Sequence, residues 1–377
     1  MSKRSFRTAL IVVLGTLAIL GGLIAFFLHR AFSYPDEAHA GEGRDVEVEI
    51  VSGMSFPQIA SMLADRGVVE RPTWFRLYAM WNGKTTEVKT GKYLIKDNQT
   101  PKQVLDVLVA GVKEITVKVT LPEGKNMLEF FEILEQAKVA SSRDLLALAR
   151  DKDLLSRHAI VGDSVEGYLF PDTYQFRLGE KPIVVLERLI TRQQEVWNQL
   201  VAKNPRDTAT LKDKLGWSDR DILTMASIVE KEAADPKERP RIAQVFINRL
   251  TMSSFKPHRL ETDPTIRYGC SVPEKLSAAC IAWHEPCLKA GKPRGCDRLH
   301  RAQLDDQDNV YNTYQHEGLP PGPISNPGKA SIAATISPDG SDYLFFVATS
   351  KNSRNHAFAR TVAEHQKNVA KYVSSDP

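Results

Sequence analysis

Two glutamates separated by a lysine are the clearest candidates for catalytic chemistry in this sequence. Glu230, Lys231 and Glu232 end a mainly apolar run that begins at Ile222. At about 100° per helical residue, Glu230 falls at roughly 80° from Ile222 and Glu232 at roughly 280°, so both border the apolar stripe. A carboxyl at such an edge is partly removed from water, which raises its pKa and suits a general acid. Two surface glutamates are the alternative, and periodicity does not choose between the acids.

A second group of candidates lies in turns rich in proline and glycine. Their amide and hydroxyl side chains suit sugar hydroxyls and N-acetyl groups, and their tyrosine rings suit sugar faces. Tight-turn chemistry without any ligand is the alternative. The candidate substrate-binding residues are Thr262, Asp263, Thr265, Tyr268, Tyr311, Asn312, Thr313, Tyr314 and Asn326.

The cysteines form one cluster. Cys270, Cys280, Cys287 and Cys296 are separated by 9, 6 and 8 residues, and the chain has four cysteines in all. These intervals match no common zinc module, and no CxxC pair occurs. In an oxidising compartment the expected outcome is two disulfides, with the connectivity open. A zinc site with His284 nearby and free thiols are the alternatives.

The compartment follows from the N-terminal sequence. Residues 8–28 contain no charge, and three basic residues precede them. About 20 apolar residues span a bilayer, and the positive-inside rule places the N-terminus in the cytoplasm. A cleaved signal peptide is the alternative, but its apolar region is normally about 7–15 residues long. We therefore expect a cytoplasmic N-terminus at 1–8, a transmembrane helix at 9–28 and a polar tether at 29–45.

The remaining chain has the composition of folded domains. It is 42% hydrophobic and 25% charged, and its 377 residues suffice for two domains. The net charge of +4 comes without a dominant basic run, so no nucleic-acid partner is expected.

Two sets of elements must position the candidate residues. Residues 46–114 resemble a LysM-like βααβ module, a fold that often holds N-acetylated glycans. Its expected elements are a strand at 46–51, helices that begin at Phe56 and Pro72, and a strand that begins at Gly91. A generic α+β packing domain is the alternative. Further on, Ser218 and Asp221 form a capping-box pattern ahead of the helix that carries the two glutamates. A strand is expected at 343–348.

The order of the motifs resembles the endolytic murein transglycosylase (YceG-like) family. The resemblance runs from about residue 46 to about 370 and implies an α+β fold. It comprises one N-terminal transmembrane helix, the LysM-like module, and a mixed α/β catalytic domain at 115–377 with a cysteine-containing insertion at 270–298. The motifs are EGYLFPDTY at 166–174, ASIVEKE at 226–232, TDPT at 262–265, YNTY at 311–314, GLPPGPI at 318–324 and NPG at 326–328.

This resemblance implies an inner-membrane enzyme that cuts peptidoglycan glycan strands internally from the periplasmic side. The family motif places the single catalytic acid on Glu232, with Glu230 in reserve. Other lytic transglycosylases carry Ser or Thr at the next position, where this chain has Ala233. The implied partners are glycan strands, the inner membrane and peptidoglycan synthases, and neither a metal nor an organic cofactor is needed.

One carboxyl suffices for this chemistry because the sugar supplies its own nucleophile. The acid protonates the glycosidic oxygen, and its carboxylate then takes the proton of the C6 hydroxyl of N-acetylmuramic acid, which closes a 1,6-anhydro ring. A muramidase would use water and a second carboxylate, for which Asp263 or Glu261 is the candidate. A non-catalytic glycan-binding scaffold of the cell-wall machinery is the other alternative.

Overall fold

The computed structural model describes residues 3–112, 116–289, 298–350 and 353–372. The chain divides into two compact units, residues 1–114 and 115–377. Helices predominate in both, and the described strands form three two-stranded antiparallel sheets.

The first unit begins with helix α1 (Lys3–Ser33), which contains the uncharged run. Within the described residues, Val13–Asp36 is the one stretch long and apolar enough to cross a membrane, and its 18-residue apolar part is not buried in the protein. A helix of this length is expected because 21 uncharged residues at about 1.5 Å each match a bilayer core of about 30 Å.

A small sheet and three helices complete this unit. Strand β1 (Asp45–Ile50) pairs antiparallel with β2 (Gly91–Lys96), and helices α2 (Phe56–Asp65) and α3 (Pro72–Trp81) connect them. Helix α4 (Pro101–Ala110) follows, capped by Thr100. The apolar faces of these elements bury a common core that includes Leu63, Phe75, Ile95 and Leu105.

The segment expected to be a tether, 29–45, is structured instead. Helix α1 continues to Ser33, and the next residue, Tyr34, is buried in the core of the unit. The backbone N–H groups of Gly43 and Arg44 donate to Oδ1 of Asp97 at 2.7 and 3.0 Å. Polar composition suggested a free linker, but a buried aromatic ring and a carboxylate that accepts two backbone hydrogen bonds tie the segment down.

The second unit starts with a helical layer on a two-stranded sheet. Strand β3 (Thr116–Thr120) pairs antiparallel with β4 (Thr173–Arg177). Helices α5 (Met127–Gln136), α6 (Ser142–Ala149), α7 (Lys152–Arg157) and α8 (Pro182–Lys203) share a core with this sheet. Helix α9 (Pro205–Leu215) packs against α8 and α15 (Lys329–Ile336).

Helix α10 (Asp219–Glu232) crosses the core of this unit and ends on the candidate acids. Ser218 and Asp221 form the expected capping box at its start, and residues 222–229 are all buried. It packs against α11 (Arg239–Thr251), α12 (Asp263–Gly269) and α15 (Lys329–Ile336). The other elements are α13 (Ala278–Lys289), α14 (Arg301–Leu304), β5 (Phe345–Ala348), β6 (His356–Ala359) and α16 (Val362–Tyr372).

One expected turn is a helix. Residues 263–269 form α12, with Pro264 in its first turn and Thr262 as its N-cap residue. Proline suits the first turn of a helix because that position needs no N–H partner, and an aspartate there complements the helix dipole. A turn was expected here because proline and glycine are common in loops. The Thr-Asp-Pro sequence is instead typical of the start of a helix.

Candidate active site

A cavity of about 510 Å³ lies at the C-terminal end of α10 and contains one of the two candidate acids. Glu232 lines it together with three of the predicted substrate-binding residues, namely Thr262, Asp263 and Tyr314. The other lining residues are Phe246, Arg249, Glu261, Pro264, Phe345, Phe346 and His365.

Glu232 has the environment of a general acid. Burial raises the pKa of its carboxyl, and the negative charge of Asp263 raises this pKa further. The hydroxyl of Thr262 donates a hydrogen bond to Oε1 of Glu232, which lowers the pKa, as do the charges of His356 and Arg249. Desolvation is the largest of these effects, so the carboxyl holds its proton at a higher pH than a free glutamate does.

Thr262 is itself held by two buried threonines. Its backbone N–H donates to Oγ1 of Thr313 at 3.1 Å, and the hydroxyl of Thr265 donates to its carbonyl oxygen at 2.7 Å. The hydroxyls of Thr265 and Thr313 lie 2.9 Å apart. Both of these predicted binding residues therefore lie behind Thr262 and orient it toward Glu232.

A second carboxyl lies at the rim of the cavity. Asp263 is exposed, and its Oδ1 accepts a hydrogen bond of 3.0 Å from the Tyr314 hydroxyl. Burial raises the pKa of Tyr314, and the charge of Asp263 raises it further, so this phenol stays protonated and can donate. The pair places a carboxyl group and an aromatic ring at the mouth of the cavity.

Arg249 is a cavity residue that the sequence reasoning missed. Its Nε donates to the carbonyl of Leu344 at 2.8 Å, and another nitrogen donates to the carbonyl of Leu260. Its guanidinium carbon lies 5.2 Å from the ring centroid of Phe255 and 5.6 Å from that of Phe345. Helix α11 carries three arginines, Arg239, Arg241 and Arg249, so no signal in the sequence singled out Arg249. A buried cation needs polar or aromatic partners, and only the tertiary structure brings those partners together.

His365, on α16, also lines the cavity. Its ring lies 5.2 Å from the ring of Phe345, and burial lowers its pKa, so the imidazole is neutral over a wider pH range than usual. Its Nδ1 is buried and has no hydrogen-bond partner within the described part of the chain.

Glu230, the reserve candidate, lies outside this cavity. One of its oxygens is 3.1 Å from the Arg239 guanidinium, and the other accepts hydrogen bonds from the Gly328 N–H at 3.1 Å and the Ser331 hydroxyl at 2.7 Å. Its side chain is 6% exposed. These contacts join the end of α10 to the start of α15, which is a structural role.

Asn326 also lies away from the cavity and joins three segments. Its Oδ1 accepts from the N–H groups of Gly167 and Leu169 at 3.0 and 3.1 Å, and its Nδ2 donates to the carbonyl of Lys125 at 3.2 Å. Gly167 has φ +84°, and a Cβ there would lie 2.5 Å from Pro323, so only glycine fits.

A buried carboxyl belongs to the same network. Glu166 accepts from the Met127 N–H at 3.0 and 3.1 Å and from Asn326 Nδ2 at 3.1 Å. Burial raises its pKa to about 8. This side chain caps the first turn of α5 and was not among the sequence candidates; the motif EGYLFPDTY was the signal that could have found it.

The other predicted binding residues support loops. The amide of Asn312 donates to the carbonyls of Gln303, Leu304 and Asp306 at 3.1, 3.1 and 2.8 Å. The rings of Tyr268 and Tyr311 are both buried, with centroids 4.8 Å apart.

Tyr311 borders a second, larger cavity of about 960 Å³. Its lining includes Arg150, Lys152, Arg220 and Asp308 but neither candidate acid. The smaller cavity is the better active-site candidate, because it combines a carboxyl of raised pKa with convergent polar groups.

Cys270 and Cys280 form a disulfide with a Cα–Cα distance of 4.8 Å. It joins the end of α12 to α13, and both sulfurs are buried with Trp283. The side chain of Cys287 and the whole of Cys296 lie outside the described residues. Within the described ranges, no cluster of three or more His, Cys, Asp or Glu side chains is placed to bind a metal ion.

Comparison with known proteins agrees with the motif order. A model of the YceG-like family matches residues 48–371. The endolytic murein transglycosylase of Bacillus subtilis is 30% identical over 371 residues, which cover 95% of this chain and 92% of that protein. The endolytic murein transglycosylase of Streptococcus pneumoniae serotype 2 is 26% identical over 361 residues, which cover 89% of this chain but 60% of that longer protein.

The fold is also similar to a solved one. A crystal structure of a yceG-like protein from Listeria monocytogenes superposes with a TM-score of 0.52 at 27% identity, covering 86% of this chain and 99% of that one. Because the family model spans most of the sequence and the Bacillus subtilis relative aligns over nearly its full length, the chain belongs to the YceG-like family.

Proposed function

We propose that this chain is an endolytic lytic transglycosylase that cleaves the β-1,4 bond between N-acetylmuramic acid and N-acetylglucosamine inside peptidoglycan strands. The observation that carries the proposal is Glu232, a carboxyl whose pKa is raised by burial and which faces a polar cavity. The relatives named endolytic murein transglycosylase supply the substrate class.

The reaction needs one proton, which Glu232 donates in the first step and recovers in the second. Protonated Glu232 gives its proton to the glycosidic oxygen as the bond from that oxygen to C1 of N-acetylmuramic acid breaks. The resulting carboxylate accepts the proton of the C6 hydroxyl, and O6 bonds to C1 to close the 1,6-anhydro ring. Burial favours the neutral acid at the start, and the Thr262 hydroxyl and Arg249 stabilise the carboxylate after the transfer.

The cavity divides the predicted binding residues by role. Thr262, Asp263 and Tyr314 line it and are proposed to contact the glycan, while Nδ1 of His365 has no hydrogen-bond partner among the described residues and is free to bind substrate. Phe345 and Phe346 supply apolar surface for sugar faces. The remaining candidates are proposed to act through these residues: Thr265 and Thr313 orient Thr262, while Tyr268, Tyr311, Asn312 and Asn326 hold the surrounding loops.

The proposed setting is the periplasmic face of the inner membrane. Helix α1 is proposed to cross the bilayer once with the N-terminus in the cytoplasm. Residues 46–114 are proposed to be a LysM-like glycan-holding module, and residues 115–377 the catalytic domain. An enzyme in this place could end the elongation of nascent strands beside a peptidoglycan synthase.

The chemical identity of the new chain ends tests the proposal. Purified full-length protein is incubated with uncapped glycan strands, and the products are treated with borohydride and analysed by mass spectrometry. We expect 1,6-anhydro ends, which borohydride does not reduce and which are one water lighter than hydrolysed ends. Reducible muramic acid as the main product would instead support a muramidase with Asp263 or Glu261 as the second carboxylate. Binding without any cleavage would support a scaffold.

A further inference from the structure

Helix α3 has two apolar faces, and one of them is not covered by the core of the first unit. Phe75 and Ala79 point into that core. On the opposite side, Leu77 is 44% exposed, Met80 53% and Trp81 75%. A helix that is apolar on both sides is unusual on a water-exposed surface, so the outer face requires a partner.

The outer face of α3 lies beside the end of α1. The ring of Trp74 is 4.9 Å from that of Phe27, and the ring of Trp81 is 6.1 Å from that of Phe32. A groove of about 310 Å³ runs between the two helices, and Leu77 contributes to its lining. The exposed aromatic rings of α1 and α3 therefore form one continuous apolar surface.

The position of this surface along α1 sets its depth in a membrane. The uncharged run ends at Leu28, and Phe27 lies within it. Phe32 is four residues beyond Leu28, about 6 Å along a helix that stands near the bilayer normal. The headgroup region of one leaflet is about 5–8 Å thick. Trp74 is thus level with the edge of the hydrocarbon layer, and Trp81 is level with the headgroups.

We propose that the outer face of α3 is a membrane-contacting surface that lies in the headgroup and upper acyl region of the outer leaflet of the bilayer crossed by α1. Tryptophan is enriched at this depth because its ring is apolar and its N–H reaches water. Arg76 precedes Leu77 and is exposed, and arginine side chains at this depth commonly extend to the lipid phosphates. The proposal rests on the proposed membrane anchoring of α1.

We assign lipid as the partner of the outer face of α3 because this face lies beside α1, the proposed transmembrane helix. A transmembrane helix is surrounded by acyl chains up to its last apolar turn, and the groove begins there, at Phe27. The contact would fix the orientation of the first unit relative to the membrane surface, whereas a flexible polar tether would leave that orientation free to vary.

Fluorescence quenching by brominated lipid tests this surface. Full-length protein is reconstituted into vesicles of phosphatidylethanolamine and phosphatidylglycerol whose acyl chains carry bromine near either the headgroup end or the methyl end. The chain has five tryptophans, so Trp81→Phe isolates one contribution. Trp217→Phe, in the second unit, is the matched control, and flotation of the vesicles shows whether each protein is anchored.

We expect headgroup-proximal bromine to quench wild-type emission more strongly than methyl-end bromine. We also expect Trp81→Phe to reduce the quenched signal at least twofold, while Trp217→Phe leaves it unchanged. Protein that floats with the vesicles but shows equal quenching with and without Trp81 would overturn the inference and leave the anchor intact.

Two further outcomes separate the remaining possibilities. Protein that does not float would overturn the anchoring itself, and the surface proposal with it. A Trp81 that is shielded both from brominated lipid and from acrylamide in the water would indicate that a protein, such as a second copy of this chain, covers the face, and this too overturns the lipid assignment.

Discussion

The hydroxyl of Thr262 donates a hydrogen bond to the carboxyl of Glu232, although the two residues are 30 positions apart in the chain. The first is the N-cap residue of α12 and the second is the last residue of α10. Packing of these two helices therefore places the proposed acid against the motif that carries Asp263. After burial, which raises the pKa of Glu232, this hydrogen bond is the next largest influence on that pKa, and it lowers it.

Glu232→Gln should abolish cleavage while the protein stays folded. Glutamine keeps the size and hydrogen-bonding capacity of glutamate but has no proton to transfer. We expect activity on glycan strands to fall by about 10²–10⁴-fold, the usual contribution of general acid–base catalysis. Turnover is measured by release of anhydro ends, and folding by the thermal midpoint.

Glu195→Gln is the matched control. Glu195 is exposed on α8, and among the described residues its one ion pair is with Arg192. It should keep full activity. An active Glu232→Gln protein together with an inactive, folded Glu230→Gln protein would reverse the assignment of the acid.

Thr262→Val should move the alkaline limb of the pH–rate profile to higher pH. The Thr262 hydroxyl stabilises the carboxylate form of Glu232 and so lowers its pKa. Its removal raises the pKa, and the acid stays protonated to a higher pH. The hydrogen bond is stronger to the carboxylate than to the neutral acid, so its loss disfavours the carboxylate more.

Thr262→Ser keeps the hydroxyl and should keep the wild-type profile. A Thr262→Val enzyme that loses rate at all pH values without any shift of the alkaline limb would show that this threonine positions substrate without tuning the acid.

Glu230→Gln should destabilise the fold, because it leaves the buried guanidinium of Arg239 without its main partner. Complete loss of a buried ion pair costs about 3–5 kcal/mol. We expect a smaller loss of about 2 kcal/mol, since glutamine retains hydrogen bonds and Glu123 lies 3.7 Å from Arg239. Urea unfolding measures the difference against Glu195→Gln, and equal midpoints for the two variants would contradict the structural role.

Glu166→Gln should remove part of the pH dependence of stability. Burial raises the pKa of folded Glu166 to about 8, from the 4.5 of an ordinary glutamate. Protonation therefore favours the folded state, and its stabilising effect is complete below the unfolded value and is lost as pH rises toward 8. One proton contributes a slope of about 1.4 kcal/mol per pH unit at most.

Urea unfolding between pH 5 and pH 8 checks this prediction, because the variant should lose less stability across that range than the wild type. Parallel curves for the two proteins would mean that Glu166 is ionised in the folded state over the whole range.

Features that depend on nearby residues were predictable from the sequence alone. The apolar run of α1, the capping box of Ser218 and Asp221, and the buried stripe of α10 all arise from interactions within one or two helical turns. The periodicity also placed both glutamates at the edges of that stripe, and the order of the motifs identified the family.

Helical periodicity did not distinguish the two acids, but their tertiary environments differ. They have equivalent positions on α10, yet Arg239 and the start of α15 surround Glu230, whereas Thr262 and the cavity surround Glu232. The same holds for the polar turns, since Thr262 lines the cavity while Asn326 lies in a buried network of backbone contacts. Desolvation and Coulomb interactions depend on distances in space, and the partners of the two acids lie from 9 to 101 positions away in the chain.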